Sequence, residues 1–560
     1  MDYKKHIASK LNLEGFTEEE IASFIALPPN TELGDYALPC FRFAKAMRMS
    51  PVAIAEKLKG EFETDEFIEE VNSASGYLNF RVNRKTFVRD VLSEVLSAGE
   101  KYGSSDEGKG KTICIDYSSV NIAKPFHIGH LSTTVIGAAL YRTYKFLGYN
   151  AVGINHLGDY GTQFGKLIVA FGKWGDRKTV EEGGVRELMK LYVRFHEEAE
   201  KNPELDDEAR REFKKIEQGD KSANELFEFF KALTLNEVGK IYERLNVSFD
   251  SYAGESFYND KMQPVVNELK EKGLLKTSDG AEIVDLSDYN MPPCIILRSD
   301  GASLYATRDL AAAIYRKNTY DFAKNLYVVA YQQNLHFKQL FKVLELMGKD
   351  WAKDCVHVAF GMVSMEDGAM STRHGKVVFL EDVLNRTVEK CLSIITEKSP
   401  ELPDKEKIAE QVGTGAVVFG ALSNGRIKDI VFSYDKVLNF DGETGPYVQY
   451  TAARCFSVLS KGGEIGKYEI KDMNKSEYEL AAHISKLNET LSSALEKYEP
   501  SFITRYAVDL AQLYNKFYFD CKILGEEENV KNFRLALTKA THTTLSICLK
   551  LLGIGVPERM

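Results

Sequence analysis

His127 and His130 stand three residues apart in the stretch NIAKPFHIGHL, with Lys124 just ahead of them and Gly129 between them. An ammonium and two imidazoles at this spacing can hold an anion. Gly129 has no Cβ, so a flat ring can lie directly on its backbone. Together these residues suit a nucleotide, with the base over Gly129 and the phosphates against His127, His130 and Lys124. Read alone, the two histidines also suit half a metal site or a helix cap. The turn holds no Cys or carboxylate to complete a metal shell. Neither G-x-G-x-x-G nor G-x-x-x-x-G-K-[ST] occurs here, so the dinucleotide and P-loop readings are unsupported.

A second cationic loop, MVSMEDGAMSTRHGKVVFL, carries Met370, Ser371, Thr372 and Arg373. By itself it reads as a solvated, flexible loop. Beside the first turn it reads as a lid that closes on a triphosphate. In HLGDYG, His156 follows a strand and either faces a ligand or is satisfied by nearby backbone; Gly158 and Asp159 are equally open.

These groups need a scaffold that brings them together. TICIDYS (112–118) reads as a buried strand, and an apolar-striped helix follows over about 129–146. A second strand lies near 151–155. Strand, helix and strand in this span make a βαβ unit and hence a parallel sheet. NLYVVAY (325–331) and CVHVAFGMV (355–363) are further strand candidates. The phosphate-handling turn thus sits between a parallel strand and a helix N-terminus, where anions bind. The pattern predicts a doubly wound, Rossmann-like α/β domain over 106–440, with a charged helical insertion at about 178–254. Before it, residues 1–105 mix PVAIAEKL, a helix opening on proline, with the alternating strand SGYLNFRV, which makes an α+β module. The glycine- and charge-rich link EKYGSSDEGKGK marks the boundary. Beyond about 441 the strand pattern fades into an all-α helical bundle running to 560.

Composition excludes several classes. The chain has 560 residues, 44% hydrophobic and 28% charged, which is not a disordered or collagen-like composition. At roughly 100–200 residues per domain the length suggests about three to five domains. The longest apolar runs, such as GAVVFGAL at 415–422, fall short of the ~18 residues of a membrane span. The N-terminus has no apolar signal core. Eight scattered cysteines without a C-x-x-C pair read as reduced thiols of a cytosolic protein. A net charge of −10 excludes a nonspecific DNA coat. It leaves nucleic-acid binding open, because charge is screened over about 8–10 Å.

HIGH at His127–His130, followed far downstream by a KMSKS-like loop, resembles the class I aminoacyl-tRNA synthetases. SSVNIAKPFHIGHLSTTVIG, HLGDYGTQFG, YATRDLAAA, TGPYVQYTAAR and the terminal LLGIGVPERM narrow the resemblance to the arginyl-tRNA synthetases. GDYALP and GYLNF look like that family's N-terminal module. The matches span nearly the whole chain in the correct order. The loop departs from KMSKS: Ala369 stands for its first Lys and Thr372 for its second. In this family Lys124 is thought to supply the missing charge from the other side of ATP.

The resemblance implies attachment of L-arginine to tRNA(Arg) through an arginyl-adenylate. The arginine carboxylate attacks the α-phosphorus of ATP and pyrophosphate leaves. The arginyl group then moves to the 2′-hydroxyl of the terminal ribose. Such chemistry needs positioning and fixed positive charge, not a side-chain nucleophile. Lys124, His127 and His130 fall to the triphosphate with Mg2+, and Gly129, Met370, Ser371 and Arg373 to the rest of the ATP; no residue is assigned as a metal ligand. Arginine falls to six residues. Asp309 can take the planar five-donor guanidinium, with Tyr305 beside it on one helix face. Asp116 can add a second carboxylate, Asn121 and Gln333 match positions that hold the ammonium and carboxylate ends, and His156 faces the ligands. The plain alternative for Tyr305 and Asp309 is a half-buried ring and a solvated carboxylate. The bundle looks like an anticodon-binding domain, with Tyr447, Gln449 and Tyr450 as candidate RNA contacts and Phe517 and Tyr518 as core. The N-terminal module is expected at the tRNA elbow. The partners are then tRNA(Arg), L-arginine and ATP, not DNA or a membrane, for a cytoplasmic monomer. A binding-only paralogue would not need the complete Lys124/His127/His130 set. Other nucleotidyltransferases of the superfamily are generally shorter and lack the helical tail.

Overall fold

Thr112–Asp116 is apolar through Ile113, Cys114 and Ile115, all buried in a computed structural model that describes residues 3–26, 28, 30, 33–298, 305–365 and 378–560. A strand covered on both faces has such a continuous apolar run. It lies inside a four-stranded parallel sheet in the order Cys355–His357, Lys324–Tyr327, Thr112–Asp116, Asn150–Ile154. From Thr112–Asp116 the chain crosses through helix Leu131–Phe146 to Asn150–Ile154. It later returns on the other side of the first strand. Strand order reverses there, and open α/β sheets bind ligands outside the carboxyl ends of their strands at such a point. The register sets Asp116 level with Ile154 on one side and Tyr327 on the other. This is the doubly wound sheet that the sequence pattern predicts, with shorter strands.

Helix Leu131–Phe146 is buried around most of its circumference. It lies against Tyr117 at Gly137, where a Cβ would overlap the tyrosine side chain. The charged insertion forms three helices, Arg177–Lys201, Glu204–Glu217 and Lys221–Arg244. Their exposed pairs, such as Lys201 with Glu198 and Arg210 with Asp207, add little stability each. Buried side chains hold the insertion instead. Tyr242, on the third helix, bonds Ser118 (2.7 Å) and receives a hydrogen bond from Asn155 (3.0 Å), clamping two loops that leave the sheet. A small antiparallel sheet of Leu275–Ser278, Ala281–Val284 and Cys294–Leu297 has no counterpart in the sequence reading. Its strands are only four residues long and give weak period-two signals.

The described chain packs as two units. The larger holds the parallel sheet and comprises 103–457, 487–512 and 545–560; the smaller comprises 1–102, 458–486 and 513–544. The C-terminal helices are therefore shared between the units. Within the smaller unit, Tyr36–Pro39, Tyr77–Val82 and Ile68–Ala74 form an antiparallel sheet with Tyr77–Val82 central. Helix Pro51–Glu61 starts on a Ser50 cap with Pro51 in its first turn. Helix Arg84–Ala98 is capped by Asn83 and meets helix Lys475–Ile484, where Tyr478 donates to Asp35 (3.0 Å) and lies under Arg84. The apolar stripe at 479–498 is two helices, Lys475–Ile484 and Leu487–Lys497. Among the described residues no helix is long and apolar enough to cross a membrane.

Candidate active site

The turn after Thr112–Asp116 closes on itself through its histidines. His127 caps the short turn Ile128–His130, which leads into Leu131–Phe146. His127 Nδ1 accepts the Gly129 N–H at 3.1 Å, and His130 Nδ1 accepts the His127 N–H at 3.2 Å. The rings lie 4.0 Å apart, with Phe126 stacked on His130. Burial pushes His127 down to about 4 and His130 to about 3, the latter also repelled by His127 and Lys124. Both imidazoles are therefore neutral at neutral pH. With Nδ1 occupied as an acceptor, each keeps its proton on Nε2. Capping and ligand binding are thus compatible: Nδ1 serves the turn and Nε2–H remains as a donor. The cation of the turn is Lys124. Burial lowers its pKa, and the nearby Glu255 opposes this.

Residues 378–380, which follow the KMSKS-like loop in the chain, pair with this same turn. The Ile128 N–H donates to Val378 O (3.0 Å) and the Leu380 N–H to Phe126 O (2.9 Å). On the loop's other side, Val363–Met365 pairs in parallel with Ile430–Phe432. Met370, Ser371 and Arg373, with Ala369 and Thr372, lie outside the described residues.

Beside the turn, at the carboxyl ends of the strands, is a cleft of about 480 Å3. Asp116, Asn121, His156, Tyr305, Asp309 and Gln333 all line it. They come from five separate stretches of chain. Tyr305, Asp309, Ala312 and Arg316 present one face of helix Tyr305–Tyr320 to the cleft. Asn121 sits on an isolated bridge to Gly158, whose N–H donates to Val120 O at 2.9 Å. A Cβ on Gly158 would overlap the Asn121 side-chain oxygen. Asp159 is turned away from ligand binding: it accepts from Lys231 Nζ (2.8 Å) and from the Ser256 hydroxyl (2.8 Å) and N–H (2.9 Å).

Four residues that the sequence reading passed over shape the cleft's charge. Arg316, 1% exposed, donates to Asp116 Oδ2 at 2.7 Å, while Ser119 donates to Oδ1 at 2.7 Å. Asp116 is thus a compensated carboxylate here, not a free second acceptor. His336 Nε2 lies 2.7 Å from Asp309 Oδ2. Burial pushes the Asp309 carboxyl up, but His336, His156 and Arg316 hold it below its ordinary value. Glu255 is raised to about 7, chiefly by burial, with Arg308 opposing and Asp309 and Asp159 adding to the rise. Arg316 falls one helical stripe beyond Asp309 and His336 lies three residues past Gln333, so spacing could have found both. Ser119 and Glu255 carry no comparable signal.

Of the candidate RNA contacts, Tyr450 is exposed with Arg454 over its ring, and Tyr447 is half-buried. Gln449 is fully buried; its amide donates to Gly555 O (2.8 Å) and Gln411 O (3.2 Å), which removes it from any surface. Phe517 is core, but Tyr518 is 44% exposed, contrary to the expectation that it is core. The described residues contain no group of three His, Cys, Asp or Glu side chains placed to hold a metal ion.

Residues 91–434 match the family of class I (R) tRNA synthetase catalytic domains. Residues 448–560 match the DALR anticodon binding domain, and residues 1–82 the arginyl tRNA synthetase N terminal domain. Among curated relatives, the arginine–tRNA ligase of Clostridioides difficile is 53% identical over 570 residues, and that of Alkaliphilus metalliredigens 52% over 564; both alignments cover all of each chain. Among solved structures, the Thermus thermophilus arginyl-tRNA synthetase superposes with a TM-score of 0.82 at 26% identity, covering 96% of each chain.

Proposed function

The chain belongs to the arginyl-tRNA synthetase family, and from that premise we propose how its site divides the work of attaching L-arginine to tRNA(Arg). The enzyme is an arginine–tRNA ligase that spends ATP and passes through an arginyl-adenylate. In our reading the nucleotide lies along the turn, its ring over Gly129 and its phosphates against Lys124, His127 and His130. Met370, Ser371 and Arg373 belong to the rest of the ATP site. The neutral imidazoles act as Nε2–H donors and Lys124 as the fixed cation.

Arginine occupies the neighbouring cleft. Asp309 takes the guanidinium, flanked by Tyr305 and His156. Asn121, Gln333 and Asp116 hold the amino-acid end, where Arg316 moderates the charge of Asp116. The carboxylate then meets the α-phosphorus: a carboxyl oxygen–phosphorus bond forms, and the bond to the leaving pyrophosphate breaks. Charge grows on the phosphoryl oxygens as this happens. Each preorganised donor aimed at such charge lowers the barrier by about 2.7–4 kcal/mol. Mg2+ commonly binds through substrate phosphates, and in our reading it comes to the site on ATP. Tyr447 and Tyr450 belong to the tRNA side of the protein, and the N-terminal module to the tRNA elbow. We take the enzyme to work as a cytoplasmic monomer without DNA or membrane partners.

The observation that carries this division is the single cleft shared by Asp116, Asn121, His156, Tyr305, Asp309 and Gln333 beside the histidine turn. Arginine-dependent ATP–pyrophosphate exchange with tRNA present tests it. Asp309→Ala should abolish arginine dependence while ATP affinity stays intact; unchanged use of arginine would refute the assignment.

A further inference from the structure

Asp309 offers the cleft one oxygen, not two. Its Oδ2 is 2.7 Å from His336 Nε2. A carboxylate oxygen only accepts, so this nitrogen carries a proton and the oxygen is taken. Its Oδ1 faces His156 Nε2 at 3.9 Å, too far for a hydrogen bond. On the far side of that ring, His156 Nδ1 lies 3.3 Å from Ala253 O. A carbonyl cannot donate, so Nδ1 holds the proton and, in the neutral ring, Nε2 is a bare acceptor. Two acceptors therefore face each other across a gap in a pocket that takes a cation, and among the described residues no donor serves them.

We propose that His336 is a positioning residue that blocks Asp309 Oδ2, so that the substrate guanidinium binds between Asp309 Oδ1 and His156 Nε2. This rests on the assignment of the cleft to arginine. A fork-to-fork pair with Asp309 is closed off by His336; the guanidinium instead spends neighbouring N–H groups on an oxygen and a nitrogen from different elements. The arrangement needs His156 neutral. The groups around it are the carboxylates Asp116 and Asp309, the guanidinium of Arg316 and the ring of Tyr258, and burial lowers its pKa against the two carboxylates. His336 and His156 act on the same ligand from opposite sides of one carboxylate. Among the described residues neither makes a hydrogen bond to the histidine turn.

The test is arginine-dependent ATP–pyrophosphate exchange with tRNA present, comparing the parent with His336→Ala, His336→Gln, His156→Ala and Asp309→Ala. A lost hydrogen bond to a charged ligand predicts a KM for arginine raised about ten- to a hundredfold in His156→Ala; His336→Ala should raise it as well, because Asp309 loses the partner that fixes its Oδ1 toward the cleft. The KM for ATP should stay unchanged, and His336→Gln, which keeps an N–H donor, should recover most of the loss. A thermal melt of each variant separates this from misfolding, because a purely structural role lowers the midpoint without separating the two KM values. If Asp309→Ala abolishes arginine use but His336→Ala and His156→Ala keep the parental arginine KM, the proposal is overturned and the arginine site stands. If Asp309→Ala still uses arginine normally, the site assignment itself falls, and this proposal with it.

Discussion

His127 and His130 show how one side chain serves structure and chemistry through different atoms. Each spends Nδ1 on a backbone N–H and keeps Nε2–H. Replacing either by Ala should lower kcat by about a hundred- to a thousandfold, as for other preorganised donors, with arginine KM little changed in steady-state exchange. Their depressed values fix the sign of a stability effect. The contribution is full above the ordinary imidazole value of 6.5 and is lost as pH falls toward about 4 for His127 and about 3 for His130. Glu255 runs the other way. Its folded value, about 7, lies above the ordinary 4.5, so its contribution is full below that ordinary value and is lost as pH rises through the folded one. Ionising Glu255 also adds a negative charge to a cleft that takes a cation. The arginine KM should therefore fall between about pH 6 and pH 8, and Glu255→Gln should flatten that step. A pH profile of KM in both proteins checks it.

Single elements set the distances between these residues. The face Tyr305–Asp309–Ala312–Arg316 works because one helix carries all four to the same wall. Helix Leu131–Phe146 holds the histidine turn, and its closeness to the sheet depends on Gly137. A Cβ there would overlap the Tyr117 side chain next to its backbone, which cannot swing aside. Gly137→Ala should destabilise the protein by about 1–3 kcal/mol, read as a lower urea midpoint at constant slope. Periodicity made this helix and the strand before it visible, because both are long or continuously apolar. The antiparallel strands at 275–297 were not visible for the opposite reason: strands of only four residues are too short to carry a period.

Across the molecule, the last residues of the chain belong with the parallel-sheet unit. Arg142, on the helix behind the histidine turn, donates to Leu551 O at 2.8 Å, and Gln449 donates to Gly555 O. The C-terminal segment is thereby tied to the catalytic scaffold by part-buried polar contacts. Gln449→Ala should cost about 1–3 kcal/mol, because it removes the two hydrogen bonds from a buried amide to Gly555 O and Gln411 O. Denaturation should report that loss, while tRNA-dependent exchange at saturating substrate stays near the parent's rate.

The sequence by itself determined the sheet class, the family and six of the residues that line the cleft. Motifs such as NIAKPFHIGHL and YATRDLAAA keep catalytic groups at fixed local spacing, and local spacing survives in a one-dimensional string. Charge balance was decided only in three dimensions. Asp116 reads as a free carboxylate until Arg316, 200 residues away, is seen to neutralise it. Gln449 reads as an RNA contact until the chain terminus covers it. His336 and Glu255 gain their roles from neighbours that are distant in the chain. Electrostatic partners are set by closeness in space, and a sequence records order along the chain, so the tertiary structure alone could assign them.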